Sequence, residues 1–434
     1  MNRLDLFPDS TKITIQGLSI GGCSLVTVAE EYGTPLYVYD QATLDAAVES
    51  YRTALTNYYP GESGVTYAGK AYLCLAMAEW VQRQGLWLDC TGQGEIGIAA
   101  AARVKQDHIV VHGVNKSLED LEAALLHAGT IVADHLSELE ALASMPTEDP
   151  IPAVWLRFQP GVVVDTHTHI QTGQAGSKFG MEAEELLRAA EFCRRSNLHL
   201  KGLHFHLGSQ LRQTRPLEKA IQRTLDLAAE IGLEAGWTLS AGGGWGVAYN
   251  EEELPHPDVK EYVHCISEAL VKGCRSHGLD LPRLQLEPGR SLAARAGVAV
   301  YRVGAVKRAG EHTWILLDGG LADNPRHGLY GVNYSAVVVE RPAAEYETSA
   351  CLAGPYCESG DVLSMDLRMP EVKSGELIGV PVSGAYQLSM SSNYNGALRP
   401  AVVWLNQGEA RLIQERERPA DLLRRDHPLQ DPES

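Results

Sequence analysis

From Val65 onward the chain alternates between two hydrophobic patterns. Short runs rich in β-branched and other apolar residues end in small or polar ones, and each leads into a stretch with apolar positions at helical spacing. The runs are "VTYAGK" from Val65, "LWLDCTG" from Leu86, "HIVVHG" from His108, "TIVADH" from Thr130 and "AVWLRFQP" from Ala153. They continue with "GLHFHLGSQ" from Gly202, "TLSAGGGWG" from Thr238 and "LQLEPGR" from Leu284. Between them lie amphipathic intervals such as "SLEDLEAALLHAG" and "PLEKAIQRTLDLAAEIG", each closed by a glycine. Strand alternating with helix implies a parallel sheet. Eight short-linked units predict a closed (β/α)8 TIM-type barrel over residues 36–290 rather than an open doubly wound sheet. The long gap after the fifth run holds "THTHIQTGQAGSKFGM", which reads as a loop over the barrel mouth, a candidate lid.

After Arg290 the period changes. "GVAVYRVGAVKR" and "HTWILLDGG" alternate like strands around the turn "AGEH", and helical spacing becomes scarce. Residues 291–434 therefore read as a β-rich second domain, of β-sandwich or Greek-key-like character. The strand-like "TKITIQ" near the start suggests that residues 1–35 join it, making that domain discontinuous. The charged tail "QERERPADLLRRDHPLQDPES" reads as a last short helix and a frayed end.

Composition narrows the function. A chain of 434 residues, 44% hydrophobic, is long enough for two or three packed domains. A formal net charge of −18 argues against nucleic acid and anionic membranes, which select basic faces. The start "MNRLDLFPDSTKITIQ" has no apolar signal region, and no run reaches membrane-spanning length. Eight cysteines without a CxxC pair suggest neither a zinc knuckle nor a disulfide framework, so a reducing cytoplasm is the simplest expectation.

In such a barrel the chemistry belongs at the carboxyl ends of the strands. Those ends carry Lys70, Asp89, His112, Asp134, Arg157, His204, His206, the glycines Gly242 to Gly244, Glu287 and Arg290. A lone strand-end lysine usually snorkels to water, whereas a partly desolvated one is a nucleophile for an aldehyde. The "HFH" of residues 204–206 reads as core histidines, as a metal pair, or as a flat ring for stacking on a planar cofactor; the metal reading lacks a clear third ligand. "GSQ" and "SAGGGWG" suit a phosphate, which late barrel loops commonly hold. Glu287 could pair with Arg290, or keep a pyridine nitrogen protonated so that a pyridoxal ring acts as an electron sink. Lysine, glycine turns, carboxylate and histidine together describe a pyridoxal 5'-phosphate (PLP) site, with no metal assigned.

On these stretches, with "YAGKA", "DGGLADNPRHGLYG", "GPYCESGD" and "GAYQLSMSSNYN", the sequence resembles the fold-type III PLP decarboxylases, and among them the diaminopimelate decarboxylases. The resemblance runs from "YGTPLYVYD" to "ERPADLLRRD", essentially the whole chain. It implies that Lys70 carries the cofactor, that His206 stacks on its ring and that Glu287 faces the pyridine nitrogen. It implies cofactor contacts from Asp89, Ser209, Gly243, Gly244, Pro288, Gly289, Arg290 and Tyr386. Arg290, Arg326, Tyr330, Glu358 and Tyr386 match the substrate-binding set. Cys357 matches a proton-donating cysteine that enters the partner's site, so a homodimer with shared active sites is implied.

The implied reaction is decarboxylation of meso-2,6-diaminopimelate at its D-centre to L-lysine and CO2, the last step of lysine biosynthesis. A distal carboxylate calls for arginine, and Arg290 and Arg326 are both present. Departures occur at Gln93 in "TGQGE", at His327 in "RHGLY" and at Gly396 to Leu398. They leave open another substrate of the same fold, such as carboxynorspermidine, D-ornithine, D-lysine or a carrier-bound acyl group. A non-catalytic PLP-binding homologue and a barrel zinc hydrolase are the remaining alternatives.

Overall fold

The protein is described by a computed structural model over residues 3–146, 151–163, 173–174 and 176–429. The chain divides into two compact units: Leu44–Val247 with Pro255–Ala294, and Met1–Thr43 with Ala248–Leu254 and Arg295–Ser434.

The first unit is the barrel. Its strands are Ser63–Ala68, Trp87–Cys90, Ile109–Val111, Thr130–Ala133, Ala153–Arg157, Leu200–His204, Thr238–Ser240 and Arg283–Leu286. Each pairs in parallel with the next, and the last closes on the first through Leu284 opposite Ser63. All eight expected runs are barrel strands. Their central residues, among them Leu88, Val110, Leu156, Leu203, Leu239 and Leu284, are fully buried. That burial on both sheet faces is why the runs read as continuous apolar segments instead of alternating ones.

The helices Arg215–Ile231 and Val259–His277 stop at Gly232 and Gly278, whose φ values of 69° and 66° lie in the left-handed region that ends a helix cheaply only with glycine. The unit also buries an ion pair that the sequence did not signal. Lys116 Nζ lies 2.6 Å from Glu138 Oε1, with both side chains 1% exposed. The ammonium also donates to the Gly113 and Val132 carbonyls, so all three of its protons are used. Half of the expected lid, residues 166–172 and 175, lies outside the described residues.

The second unit is built on a nine-stranded mixed sheet. Gly297–Ala309 and His312–Leu317 form the expected hairpin, turning at Gly310. The strand Leu36–Asp40 pairs antiparallel with Gly297–Ala309 and parallel with Ala401–Asn406. Residues 36–43, read from the sequence as the start of the barrel, therefore belong to this unit. All five residues of the strand are buried, and a strand buried on both faces has the same apolar signature in either sheet. A small sheet, Lys12–Thr14, Gly17–Ile20 and Cys23–Ser24, adds Leu18 and Ile20 to a core with Phe7, Val38, Val298, Val337 and Leu405. The short helix Pro419–Leu423 falls in the tail where one was expected. Among the described residues, no helix is long and apolar enough to cross a membrane.

Candidate active site

Lys70 lies in a single turn of helix, Gly69–Ala71, directly after the first barrel strand. Its Nζ stands 3.5 Å from Asp89 Oδ2 at the end of the second strand, with the lysine side chain 51% exposed and Asp89 1%. The amine is thus reachable from solvent and held toward a buried carboxylate. Sequence reasoning expected an apolar, desolvating setting for Lys70; the structure gives it an open rim position instead.

Glu287 follows the eighth strand and is the centre of a buried polar group. Ser240 Oγ donates to Glu287 Oε1 at 2.7 Å, and His204 Nε2 lies 3.2 Å from Oε2. His112 Nε2 is 3.4 Å from Oε1 and 3.9 Å from Asp89 Oδ1. Arg290 does not pair with Glu287; its Nη2 donates to Ser209 Oγ at 2.8 Å. Burial works to raise the Glu287 carboxyl, but the facing His112 and His204 outweigh it and hold it well below the usual range. Glu287 is therefore ionised and can only accept hydrogen bonds, so the proton of neutral His204 sits on Nε2.

Burial pushes His204 down to about 4, the attraction of Glu287 opposing it. An unfolded histidine protonates near 6.5, so as pH falls the unfolded chain binds a proton that native His204 refuses. Stability from this group is present above pH ~6.5 and is lost as pH falls toward ~4, by on the order of 3 kcal/mol. We expect the urea midpoint to fall across this window, and to fall less in His204→Gln, which keeps a donor for Glu287. An identical pH slope in the variant would mean that His204 is charged in the native state.

His206 lies just beyond the sixth strand, and its Nδ1 accepts from the Gly243 N–H at 3.2 Å. Burial holds this ring well below its ordinary pKa, with Lys70 and Arg157 adding to the effect, so it is a neutral, flat face. The two histidines of "HFH" therefore do not converge on one point. The glycine turn and the Gly208–Ser209 loop are packed together. A Cβ on Gly243 would stand 2.0 Å from the Glu287 carbonyl oxygen, and one on Gly244 would stand 2.0 Å from that of Gly208. Only glycine permits this approach, which brings the Gly243–Gly244 turn against the Gly208–Ser209 loop, where the Arg290 side chain reaches Ser209. Gly289, two residues after Glu287, packs against Ala68 beside Lys70. Arg157 pairs with Asp134 at 3.3 Å, and the Gly180 N–H donates to Asp134 Oδ2 at 2.9 Å.

In the other unit Arg326 is 4% exposed and has no carboxylate partner among the described residues. Its guanidinium carbon lies 5.1 Å from the ring centroid of Tyr330, 5.5 Å from Tyr386 and 5.8 Å from Tyr249. Burial opposes its charge, but Tyr249, Tyr334, Tyr386 and Tyr330 more than offset that. Tyr386 itself has φ 71°, a strained conformation for a side chain of that size. Cys357 and Glu358 are exposed, and the Cys357 N–H donates to Asn395 Oδ1 at 3.0 Å.

The residues present fit PLP. An aldehyde would find an amine in Lys70, a ring nitrogen a carboxylate in ionised Glu287, and a π-face a neutral ring in His206. A phosphate would find backbone amides and a hydroxyl in the Ser209 and glycine loops. Both Asp89 carboxylate oxygens are buried and, beyond the 3.5 Å ion pair of Oδ2 with Lys70, accept no hydrogen bond among the described residues, which leaves polar atoms for a ligand to satisfy. The alternative is a cation: ligand atoms of His112, His204 and Glu287 lie within 4.8 Å of one another.

Comparison with known proteins decides between them. Residues 42–294 match the family described as pyridoxal-dependent decarboxylase, pyridoxal binding domain. The chain is 37% identical to diaminopimelate decarboxylase of Synechocystis, an alignment covering 97% of this chain and 93% of that protein. It is 38% identical to that of Bacillus subtilis, over 95% of each. The chain belongs to the diaminopimelate decarboxylase family. The crystal structure of the M. jannaschii diaminopimelate decarboxylase in co-complex with L-lysine superimposes with a TM-score of 0.89 at 28% identity, covering 97% of this chain and 98% of that one.

Within this family frame the three sequence departures remove no group assigned to chemistry. Gln93 is exposed, and its N–H donates to Asp120 Oδ1 at 2.8 Å. His327 Nδ1 meets the Val332 carbonyl at 2.9 Å. Gly396 ends the single helical turn Tyr394–Gly396. Sequence reasoning missed the role of His112 and Ser240 around Glu287, although both end barrel strands, which was the available signal. It also missed Tyr249 beside Arg326, for which no motif existed.

Proposed function

We propose that this protein decarboxylates meso-2,6-diaminopimelate at its D-centre to give L-lysine and CO2, as the last step of lysine biosynthesis. The observation that carries the substrate choice is Arg326, a buried guanidinium ringed by tyrosines with no carboxylate partner among the described residues. A buried, unpaired charge is costly and is stabilised by a ligand that brings the opposite one. Lysine or ornithine would bring only a distal ammonium there, whereas diaminopimelate brings a distal carboxylate suited to a bidentate contact.

Bound PLP supplies the electron sink for the charge left when CO2 departs. The chain's own residues do the rest. Lys70 offers a nucleophilic amine, steered by Asp89. Ionised Glu287, fixed by Ser240, His204 and His112, holds a proton on the pyridine nitrogen. Neutral His206 would lie against the ring face, and Ser209, Gly243, Gly244, Pro288, Gly289 and Tyr386 would complete the cofactor contacts. Arg290, Tyr330 and Glu358 bind the substrate with Arg326, Glu358 taking the distal ammonium.

Cys357 returns a proton to the reacting carbon. It acts in the site of a partner subunit, so the working form is a homodimer. Eight cysteines, all free, support a reducing cytoplasmic setting. The decisive assay is CO2 release from meso-diaminopimelate, L-lysine, D-ornithine and carboxynorspermidine by the PLP-loaded protein. Preference for meso-diaminopimelate is expected; turnover of a substrate lacking the distal carboxylate at equal efficiency would refute the assignment.

A further inference from the structure

The hairpin and its neighbours hold a second cluster of ligand-type side chains, unrelated to any group placed in the active site. His312 begins the strand His312–Leu317, Cys351 lies in Thr348–Ala353, and Asp366 lies in Val362–Met369. These three strands are successive neighbours in the sheet. Cys351 pairs with Trp314 in parallel register, and His312 is two residues before Trp314. Side chains two apart on a strand, and those of paired neighbours, point to one face, so His312 and Cys351 share it.

Asp366 reaches that face through an irregularity. The pairing steps from Ala350–Leu367 to Leu352–Ser364, so Met365 and Asp366 both stand opposite Cys351. This is a β-bulge, and bulges re-aim a side chain. Asp366 has φ 52°, a region costly for any residue but glycine, asparagine or aspartate. The result is that one ligand atom from each of the three residues lies within 4.8 Å of the other two. Cys351 Sγ is 3.9 Å from His312 Nδ1. In a tetrahedral zinc site the sulfur–nitrogen edge is about 3.6 Å, from bond lengths of about 2.3 and 2.1 Å. The pair thus needs only a small adjustment. Cys351 is buried, while His312 and Asp366 are exposed, so an ion would enter from solvent and keep a water as its fourth ligand.

We propose that His312, Cys351 and Asp366 form a binding site for a borderline divalent d-block cation, zinc by preference, that clips three strands of the second unit together. A mixed nitrogen, sulfur and carboxylate set selects zinc or cobalt over the hard cations magnesium and calcium, which take oxygen ligands. Binding ionises the Cys351 thiol and releases its proton to solvent, so affinity rises with pH.

The test uses the PLP-loaded full chain, stripped with a chelating resin and titrated with cobalt(II), then with zinc as competitor. One cobalt per chain is expected, with the intense visible d–d bands of a tetrahedral thiolate site, displaced by zinc. Cys351→Ser should abolish the bands. His312→Ala should weaken binding by at least roughly tenfold, since loss of a mere outer partner of a ligand already costs about that. Both variants should decarboxylate normally, and zinc should raise the melting temperature of the wild type but not of Cys351→Ser. Binding unchanged in Cys351→Ser and His312→Ala, or no cobalt bound by the folded wild type, would leave only a thiol–imidazole contact and overturn the proposal. Cys357→Ser, which removes the exposed thiol, should leave the bands intact; their loss there would assign the metal elsewhere.

Discussion

Lys70→Ala is expected to lower CO2 release by on the order of 10⁴-fold or more, because removing the covalent nucleophile of an enzyme leaves only binding and electrostatics to act. The visible band of protein-linked pyridoxal should vanish with it. The fold should not: Lys70 is half exposed and its ion-pair partner is Asp89 at 3.5 Å, so melting is expected to stay within a few degrees. A variant that keeps the band would remove Lys70 from its assigned role, whatever its activity. The same variant tests the shared site. Mixed with inactive Cys357→Ala subunits, it should recover part of the activity, since some hybrid dimers carry one site with both an intact lysine and an intact cysteine. Confirmed subunit exchange without recovery would count against a cysteine supplied by the partner.

Arg326→Met is the second large effect. Truncating one member of a buried charge-assisted pair costs about 2–5 kcal/mol, which is roughly 30- to 5,000-fold in kcat/KM for meso-diaminopimelate. The loss should appear with the PLP absorption unchanged, because Arg326 is assigned to the substrate alone. Tyr330, Tyr386 and Tyr249, which face the guanidinium, would keep an apolar methionine well packed, so folding should survive. Equal loss of cofactor binding would mean that Arg326 organises the site rather than reading the carboxylate. Arg326→Lys is the informative companion: it restores charge without the planar fork, and partial recovery is expected.

Much of the barrel site could be read in advance because two rules act together. Barrel chemistry gathers at the carboxyl ends of strands, and each strand is a short local pattern, so Lys70, Asp89, His204 and Glu287 could be placed from their positions alone. The glycines of "SAGGGWG" were legible as a turn, though their packing against Gly208 and the Glu287 backbone was not. Lys116 with Glu138 left no trace in the pattern, since a buried ion pair and a solvated one use the same letters. The strand Leu36–Asp40 was assigned to the wrong unit for a similar reason: burial is visible in sequence, but the identity of the pairing neighbour is not.

The sequence by itself determined the eight-strand alternation, the β-rich remainder and the types of residue at each strand end, because these depend on hydrophobic period and local turn chemistry. It also carried the family, through motifs in order along nearly the whole chain. Only the tertiary structure decided how those residues act on one another. It tied Glu287 to His112, His204 and Ser240, turned Arg290 away to Ser209, and left Lys70 on an open rim instead of in an apolar pocket. It surrounded Arg326 with tyrosines and, through a bulge opposite Cys351, brought Asp366 to Cys351 and His312. These are contacts between residues far apart in the chain, set by strand pairing and close packing, and no local period records them.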